Sequence, residues 1–298
     1  MTSPLICPLC RTPLIRADKS QRCANGHSFD IAKEGYLNLL LVQQKKSKEP
    51  GDNPEMVKAR REFLQAAYYQ PLCDAASQLI SPLNAKTLVD IGCGEGYYTQ
   101  AFSQIVTDII GLDIAKPAIQ LAAKKHPNMT WLVASSALLP VADNSIDVAT
   151  SLFSPIPVAE MARVLKAEAH VLVIRAADTH LWTVREALFG EVRAHQPDKF
   201  LDELSQHFEL LQQQELRFDL HLPQDALKNL LAMTPYVWKA HPDKRLALEN
   251  HREFATTAAF SLMLLRKINP LSNSLPRGER TLANHLLPLS EGEGRGEG

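Results

Sequence analysis

The chain has no run of about eighteen apolar residues, the length a helix needs to cross a bilayer, and its first thirty residues lack the basic and apolar regions of an export signal. A cytoplasmic protein is expected. Cysteine is scarce, five in 298 residues, which suits a reducing compartment in which metal binding or packing accounts for thiols better than disulfides do. A dominant charge sign is also missing: 32 basic residues face 33 acidic ones, net −1, so any grip on a polyanion has to come from a local excess. With 45% hydrophobic and 22% charged residues, the chain can bury a full α/β core and still carry a small appendage.

The most informative stretch is Leu88-Val89-Asp90-Ile91-Gly92-Cys93-Gly94-Glu95-Gly96-Tyr97, a buried strand that breaks into a turn spaced G-x-G-x-G. Gly92, Gly94 and Gly96 let the backbone take positive φ and approach a ligand, and the following helix offers unpaired N–H groups. The dinucleotide fingerprint places its third glycine one residue later, where this chain has Tyr97, so S-adenosylmethionine outranks NAD. Residues 108–113 read as the next strand, ending in Asp113 about twenty residues after the first glycine, where a carboxylate can accept both ribose hydroxyls. Helices over 97–105 and 117–125 complete a βαβα unit; the plainer alternative makes Asp90 and Asp113 ordinary strand-end acids.

Further strands are expected at 129–134, 145–152 and 170–175, with a helix over 159–165 between the last two. A strand pair at 208–211 and 216–220, a helix over 224–232 and a final strand over 254–267 follow. The fold class is α/β, a doubly wound Rossmann-like methyltransferase sheet with an N-terminal zinc ribbon.

The ribbon is read from Cys7-Pro8-Leu9-Cys10 and, twelve residues on, Cys23 with His27. Zinc takes four such ligands in a tetrahedron, and Gly26 permits the tight turn before His27. About thirty residues hold too little core to order themselves, so the metal supplies folding energy; four good ligands leave no position for a reacting water, so the site is structural. Cys73 and Cys93 stand apart as packing residues. From residue 1 to 61 there are eleven basic residues against six acidic ones, with Lys45-Lys46-Ser47-Lys48 in a polar connector. That excess suits a phosphate backbone or a merely solvated linker, and folded RNA is favoured over duplex DNA because no helix for a major groove stands out.

Taken together, Cys7 to Cys10, Cys23 to His27, Phe29-Asp30-Ile31-Ala32-Lys33-Glu34-Gly35-Tyr36-Leu37-Asn38-Leu39-Leu40, Pro50-Gly51-Asp52, Ala59-Arg60-Arg61-Glu62-Phe63-Leu64, Tyr69-Gln70-Pro71-Leu72 and residues 90–99 resemble the bacterial 23S rRNA guanine-N1-methyltransferases, over about residues 5–268. The resemblance implies methylation of one guanine in a 23S rRNA hairpin near the peptide exit tunnel and macrolide site, a homodimer, and no membrane partner. It implies zinc on Cys7, Cys10, Cys23 and His27, and cofactor contacts at Tyr69, Gly96, Tyr97, Asp113 and His180. Tyr69 can cap the methionine end of the cofactor or pack as a core aromatic. His180 follows a strand, at the edge where ligands collect in such sheets, although a lone histidine is more often structural.

The expected organisation is a ribbon over 1–40, a basic connector with helices over 41–84, the methyltransferase domain over 85–268 and a disordered tail over 269–298, rich in Gly, Pro and charge. Aromatics in the 233–238 segment, Tyr236 and Trp238, can stack on a base turned out of its helix or simply pack. Two further stretches depart from the family pattern. Ser151-Leu152-Phe153-Ser154-Pro155, where related enzymes position the acceptor base, holds no acid, and no general base is evident by spacing. Lys166-Ala167-Glu168-Ala169 replaces a turn that the family builds from proline and glycines. Two alternatives stand beside this reading: a small-molecule methyltransferase on the same scaffold, and a zinc-dependent RNA-binding protein with a vestigial cofactor site.

Overall fold

A computed structural model of the protein describes residues 4–45, 47, 50–190, 199–234, 236 and 239–268. The tail over 269–298, Lys46 and Lys48 of the basic cluster, and Trp238 lie outside the described residues. The chain begins with three short antiparallel strands, β1 (Leu14–Ala17), β2 (Ser20–Cys23) and β3 (Ser28–Asp30), followed by β4 (Leu37–Asn38). Helix α1 (Pro54–Gln65) starts where the Asn53 side chain accepts from the Met56 N–H at 2.9 Å, with proline in the first turn, where its missing N–H is harmless. Ala67, at φ 63°, separates it from α2 (Gln70–Ile80).

The alternating segment comes next: β5 (Thr87–Ile91), α3 (Tyr97–Phe102), β6 (Asp108–Asp113), α4 (Lys116–Lys125), β7 (Thr130–Val133), β8 (Ile146–Leu152), α5 (Val158–Val164) and β9 (Leu165–Ala176). Then come α6 (Trp182–Phe189), α7 (Lys199–Ser205), β10 (Phe208–Pro223), α8 (Gln224–Met233), α9 (Pro242–Glu249) and β11 (Glu253–Lys267). The large sheet runs β10-β11-β9-β8-β5-β6-β7-β4. Its strands are parallel from β9 to β4, while β11 and β10 are antiparallel additions. The chain leaves β5 toward β6 and β7, then returns to β8 and β9 on the other side, so the strand order reverses at β5. Ligands bind at such a switch point, outside the carboxyl ends of the strands.

Side-chain alternation divides the sheet into two cores. Leu88 of β5, Val148 of β8, Leu172 and Ile174 of β9 and Phe260 of β11 face one side, against Phe63, Leu72, Phe102, Val184 and Leu227 of the helices. Val89, Ile91, Ala149, Val171, Val173 and Met263 face the other, against Met161 of α5 and Leu204 of α7. That second core also contains Leu5, Cys7, Leu14, Cys23, Leu37 and Leu39. The N-terminal strands therefore share the sheet's core rather than hang from it as an appendage, and burial of Leu5 and Leu14 contributes roughly 1.5–3 kcal/mol each. β4 pairs in parallel with β7 as the outer edge of the sheet, a strand of two residues that sequence pattern does not reveal.

Two expectations are corrected. The strand pair at 208–211 and 216–220 is a single strand, β10, which follows β11 along its whole length with one slip in register between Leu210 and Gln212. Residues 212–215, Gln-Gln-Gln-Glu, look like a turn, yet an edge strand lying in water needs no apolar alternation and is protected by its polar side chains. The strand expected over 170–175 likewise begins earlier, at Leu165, and takes in the 166–169 stretch. That stretch is the start of β9, bulged where the pairing jumps from Ile146↔Leu165 to Val148↔His170. Glu168 takes the left-handed φ of 60° that glycine adopts freely, at a cost of about 1–2 kcal/mol, and the neighbouring Lys166–Asp147 ion pair at 2.7 Å ties the bulge to β8.

The tightest contact of the sheet predicts its own sensitivity. A Cβ on Gly111, in the middle of β6, would meet the fully buried ring of Trp131 at 2.4 Å. Gly111→Ala should lower unfolding free energy in urea by about 1–3 kcal/mol, and a Trp131→Leu background, which opens the space, should remove most of that difference.

Candidate functional site

Two clusters of reactive side chains stand out. In the first, Cys7, Cys10, Cys23 and His27 bring one ligand atom each to within 4.8 Å of one another. Cys7 Sγ lies 3.5 Å and Cys23 Sγ 3.3 Å from His27 Nδ1, and the Cys10 and Cys23 sulfurs are 3.6 Å apart. Tetrahedral zinc with Zn–S bonds of about 2.3 Å separates its sulfurs by about 3.8 Å, so the donor set fits that ion. Each pair sits on a knuckle: Arg11 N–H donates to Cys7 O at 2.8 Å, and Gly26, at φ 82°, donates to Cys23 O at 3.0 Å. The Thr12 hydroxyl and backbone N–H beside Cys10 bring its thiol down to about 5, the direction a metal ligand needs.

The second cluster is a cleft of about 330 Å³ across the ends of β5, β6, β7 and β8, a volume in the range of small-ligand sites. Its floor is the glycine turn. Gly92 and Gly94, at φ 75° and 56°, carry the chain past the end of β5, and the N–H groups of Gly92 and Cys93 both donate to Leu112 O, at 2.8 and 3.0 Å. Asp113 accepts the Gly94 N–H at 2.9 Å on one oxygen and the Ala115 N–H at 2.8 Å on the other. Each oxygen keeps a lone pair for a ligand hydroxyl. Asp90 is buried beneath the turn, where it accepts from Thr99 Oγ1 of α3 at 2.6 Å and from Thr150 Oγ1 of β8 at 2.7 Å. Burial outweighs those two bonds and pushes its carboxyl up to about 6.

Of the eight expected cofactor residues, Asp90, Gly92, Gly94, Tyr97 and Asp113 line this cleft. Gly96 supports it from below, since a Cβ there would meet the Trp131 ring at 2.6 Å. Tyr69 and His180 are buried behind the wall in an aromatic cluster, their rings 5.1 and 4.7 Å from that of Phe260. His180 Nδ1 accepts the Ala259 N–H at 3.1 Å, so the neutral ring carries its proton on Nε2. Tyr236 packs edge-on against Phe189, centroids 6.4 Å apart.

Other wall residues have no spacing signal. Gly51, Asp52 and Arg60 fold over the turn from the start of α1, with Arg60 ion-paired to Asp52 and its guanidinium also reaching Met233 O at 3.4 Å. Ser135, Ser136, Phe153, Ser154 and Pro155 complete the rim, and Leu112, Ile114 and Ala134 make an apolar side suited to a flat purine. Glu95 is buried in the wall with Oε1 unpartnered; burial pushes its carboxyl up, against the pull of Lys125, Arg61 and Arg60. A carboxylate with a lone pair left on each oxygen, an apolar slot and an orphaned acid oxygen together fit a cationic adenosyl ligand.

Comparison with known proteins agrees. The family model for the RlmA N-terminal zinc ribbon matches residues 5–48, and one for methyltransferase domains matches residues 88–174. The chain is 35% identical, over 80% of its length and 88% of the relative's, to the 23S rRNA (guanine(748)-N(1))-methyltransferase of Streptomyces fradiae. It is 29% identical, over 87% and 95%, to a Bacillus subtilis (strain 168) protein that carries the 23S rRNA guanine-N1-methyltransferase name provisionally. Among solved structures, the N-methyltransferase NodS of Bradyrhizobium japonicum WM9 with S-adenosyl-l-homocysteine aligns at 13% identity and a TM-score of 0.47, covering 73% of this chain and all of that one.

Two measurements probe the clusters. Stripping metal with a chelator, or replacing Cys23 by Ser, should abolish bound zinc by elemental analysis and open residues 5–48 to limited proteolysis; an unchanged cleavage pattern would refute a structural staple. Asp90 is raised in the folded protein above its unfolded value of about 3.9, so its contribution is fully present below pH 4 and is lost as pH rises through about 6. Unfolding free energy of the wild type should therefore fall by about 2 kcal/mol more than that of Asp90→Asn between pH 4 and pH 7.

Proposed function

Because the chain belongs to the bacterial 23S rRNA guanine-N1-methyltransferase family, we infer that it moves a methyl group from S-adenosylmethionine to N1 of one guanine in a 23S rRNA hairpin. The observation that carries this is the 35% identity to such an enzyme across ribbon and methyltransferase segments together. A small-molecule methyltransferase gives no role to the basic surplus carried by residues 1–61.

When bound, the cofactor supplies a methyl group on a positive sulfur, an electrophile ready for an in-line attack. Asp113, with a free lone pair on each oxygen, holds the ribose diol, while Leu112, Ile114, Ala134 and the Ser135 and Ser136 hydroxyls receive the adenine. Gly92 and Gly94 let the methionine portion lie against the backbone, and Asp90 provides negative charge under the turn. Arg60, oriented by its pair with Asp52, would offer the cation for the methionine carboxylate. Tyr69, Gly96 and His180 hold the wall in place from behind. The chain's own task is to align guanine N1 with that methyl group; the N1–C bond would replace the S–C bond, with the N1 proton passing to solvent water.

The same proposal gives Cys7, Cys10, Cys23 and His27 the zinc, and lets the ribbon and the 41–84 connector receive RNA ahead of the 85–268 cofactor domain. Part of the basic surplus is already engaged: Arg60 lies in the cleft and Arg11 pairs with Asp143 at 3.6 Å. The homodimer is part of this reading and is checked by light scattering. No described helix is long and apolar enough to cross a membrane, and the cytoplasm is where rRNA is available.

Labelled S-adenosylmethionine should transfer methyl to 23S rRNA, giving one reverse-transcription stop that is absent without the protein, because an N1 methyl blocks base pairing. Asp113→Ala removes two charge-assisted hydrogen bonds and should weaken cofactor binding by about 3 kcal/mol, roughly 100-fold by calorimetry. Label found only on small molecules would overturn the assignment, and RNA binding without cofactor affinity would favour a non-catalytic RNA-binding protein.

A further inference from the structure

The rim of the cleft and the N-terminal ribbon share one stretch of backbone. Residues 134–142 leave the end of β7 with Ala134, Ser135 and Ser136 in the cleft wall, then run on toward β8. Apart from an isolated bridge at Val141, this stretch is neither helix nor strand, so its neighbours have to hold it.

The ribbon holds it at both ends. Ahead of it, β4 pairs with Leu132 and Val133, and Leu39 N–H donates to Val133 O at 2.9 Å. At the far end, Ile6 N–H donates to Pro140 O at 3.0 Å, Ala142 N–H donates to Pro4 O at 2.8 Å, and Leu5 bridges Val141. The next residue is Cys7 of the metal quartet, and the Leu14 N–H of β1 donates to Leu5 O at 2.9 Å. From the other flank, Arg163 of α5 donates to Leu139 O at 2.9 Å and to Val141 O at 2.7 Å. Glu160 accepts from the same guanidinium at 2.6 and 2.7 Å and from the Leu139 N–H at 2.6 Å. Asp143 pairs with Arg163 and also, at 3.6 Å, with Arg11 of the ribbon. The Arg163 and Glu160 side chains are only 18% and 15% exposed, so water replaces these bonds poorly.

We propose that the zinc-closed ribbon is a working part of the cofactor site: zinc and S-adenosylmethionine bind with positive coupling through residues 134–142, on which Arg163 acts as a positioning residue. This rests on the zinc and cofactor assignments made above. Ribbon strands of three or four residues have no core of their own, so without the metal Pro4 to Ile6 lose the fixed course that brings them to Pro140 and Ala142. The rim at Ala134, Ser135 and Ser136 is then held from the Arg163 side alone, and cofactor binding has to supply the ordering that the ribbon otherwise provides.

The test uses the full chain as purified with zinc and again after a chelator has removed it. On removal, the calorimetric Kd for S-adenosylmethionine should rise about tenfold, and saturating S-adenosylmethionine should raise zinc affinity in chelator competition by the same factor, because coupling is reciprocal. Hydrogen exchange separates local loosening from unfolding: protection should be lost over residues 4–39 and 134–142 and kept in β8, β9 and β11. Arg163→Leu leaves the metal ligands untouched; it should retain one zinc per chain, exchange faster over 134–142 and bind S-adenosylmethionine about fivefold more weakly. An unchanged cofactor Kd on zinc removal, wild-type cofactor Kd in Arg163→Leu, or protection lost equally from β8, β9 and β11 would each overturn the proposal. A chain that carries no zinc as purified, or has no affinity for S-adenosylmethionine, would instead sink the assignments beneath it.

Discussion

The cleft depends on one carboxylate kept out of water. Asp90 accepts from Thr99 on α3 and from Thr150 on β8, and so joins β5, the helix after the glycine turn and the strand across the switch point. Those three elements frame the glycine turn and the wall of the cleft beside it. Hydroxyl donors satisfy the carboxylate without neutralising it, which is why burial still raises it to about 6. The Gly92 and Cys93 N–H groups add a second tie, to Leu112 O, so the turn is bound to β6 on its other flank. A glycine-rich loop is flexible by composition; here its neighbours make it rigid.

The ribbon owes its place to the same sheet. Its strands are too short to hold a core of their own, and Leu5, Leu14 and Cys23 complete the face made by Val89, Ile110 and Val171. Metal and sheet thus divide the work: the Cys/His quartet closes the two knuckles, and apolar contact fixes where they sit. A segment mounted this way keeps a constant distance from the cleft, which a segment on a loose tether does not.

What could be read from sequence follows how local each signal is. The quartet and the glycine turn declare themselves because ligands or strained dihedrals fall within a few residues, and Asp113 because a strand's period places it at the end of β6. Tyr69 and His180 came from family resemblance, and the fold sets both behind the wall, around Phe260. Asp52 and Arg60 reach the turn from a helix far upstream, a closure that no spacing rule encodes. β10 does not show in the sequence as one strand because an edge strand needs no alternation, and β4 does not show because two residues have no period. At 151–155 only the fold shows that the phenylalanine is strained, half-exposed and backed by a buried ring.

The charge in the wall accounts for the kind of ligand the cleft accepts. Asp90, Glu95 and Asp113 all border one cavity, and burial raises all three carboxyls. Arg60 is the basic side chain among the lining residues, and Asp52 already shares it. A wall with this surplus of acid is costly to ionise alone and is relieved by a cation, so affinity for a sulfonium compound draws on desolvation the fold has already undergone. The relief ends when the methyl group is transferred and the sulfur becomes neutral.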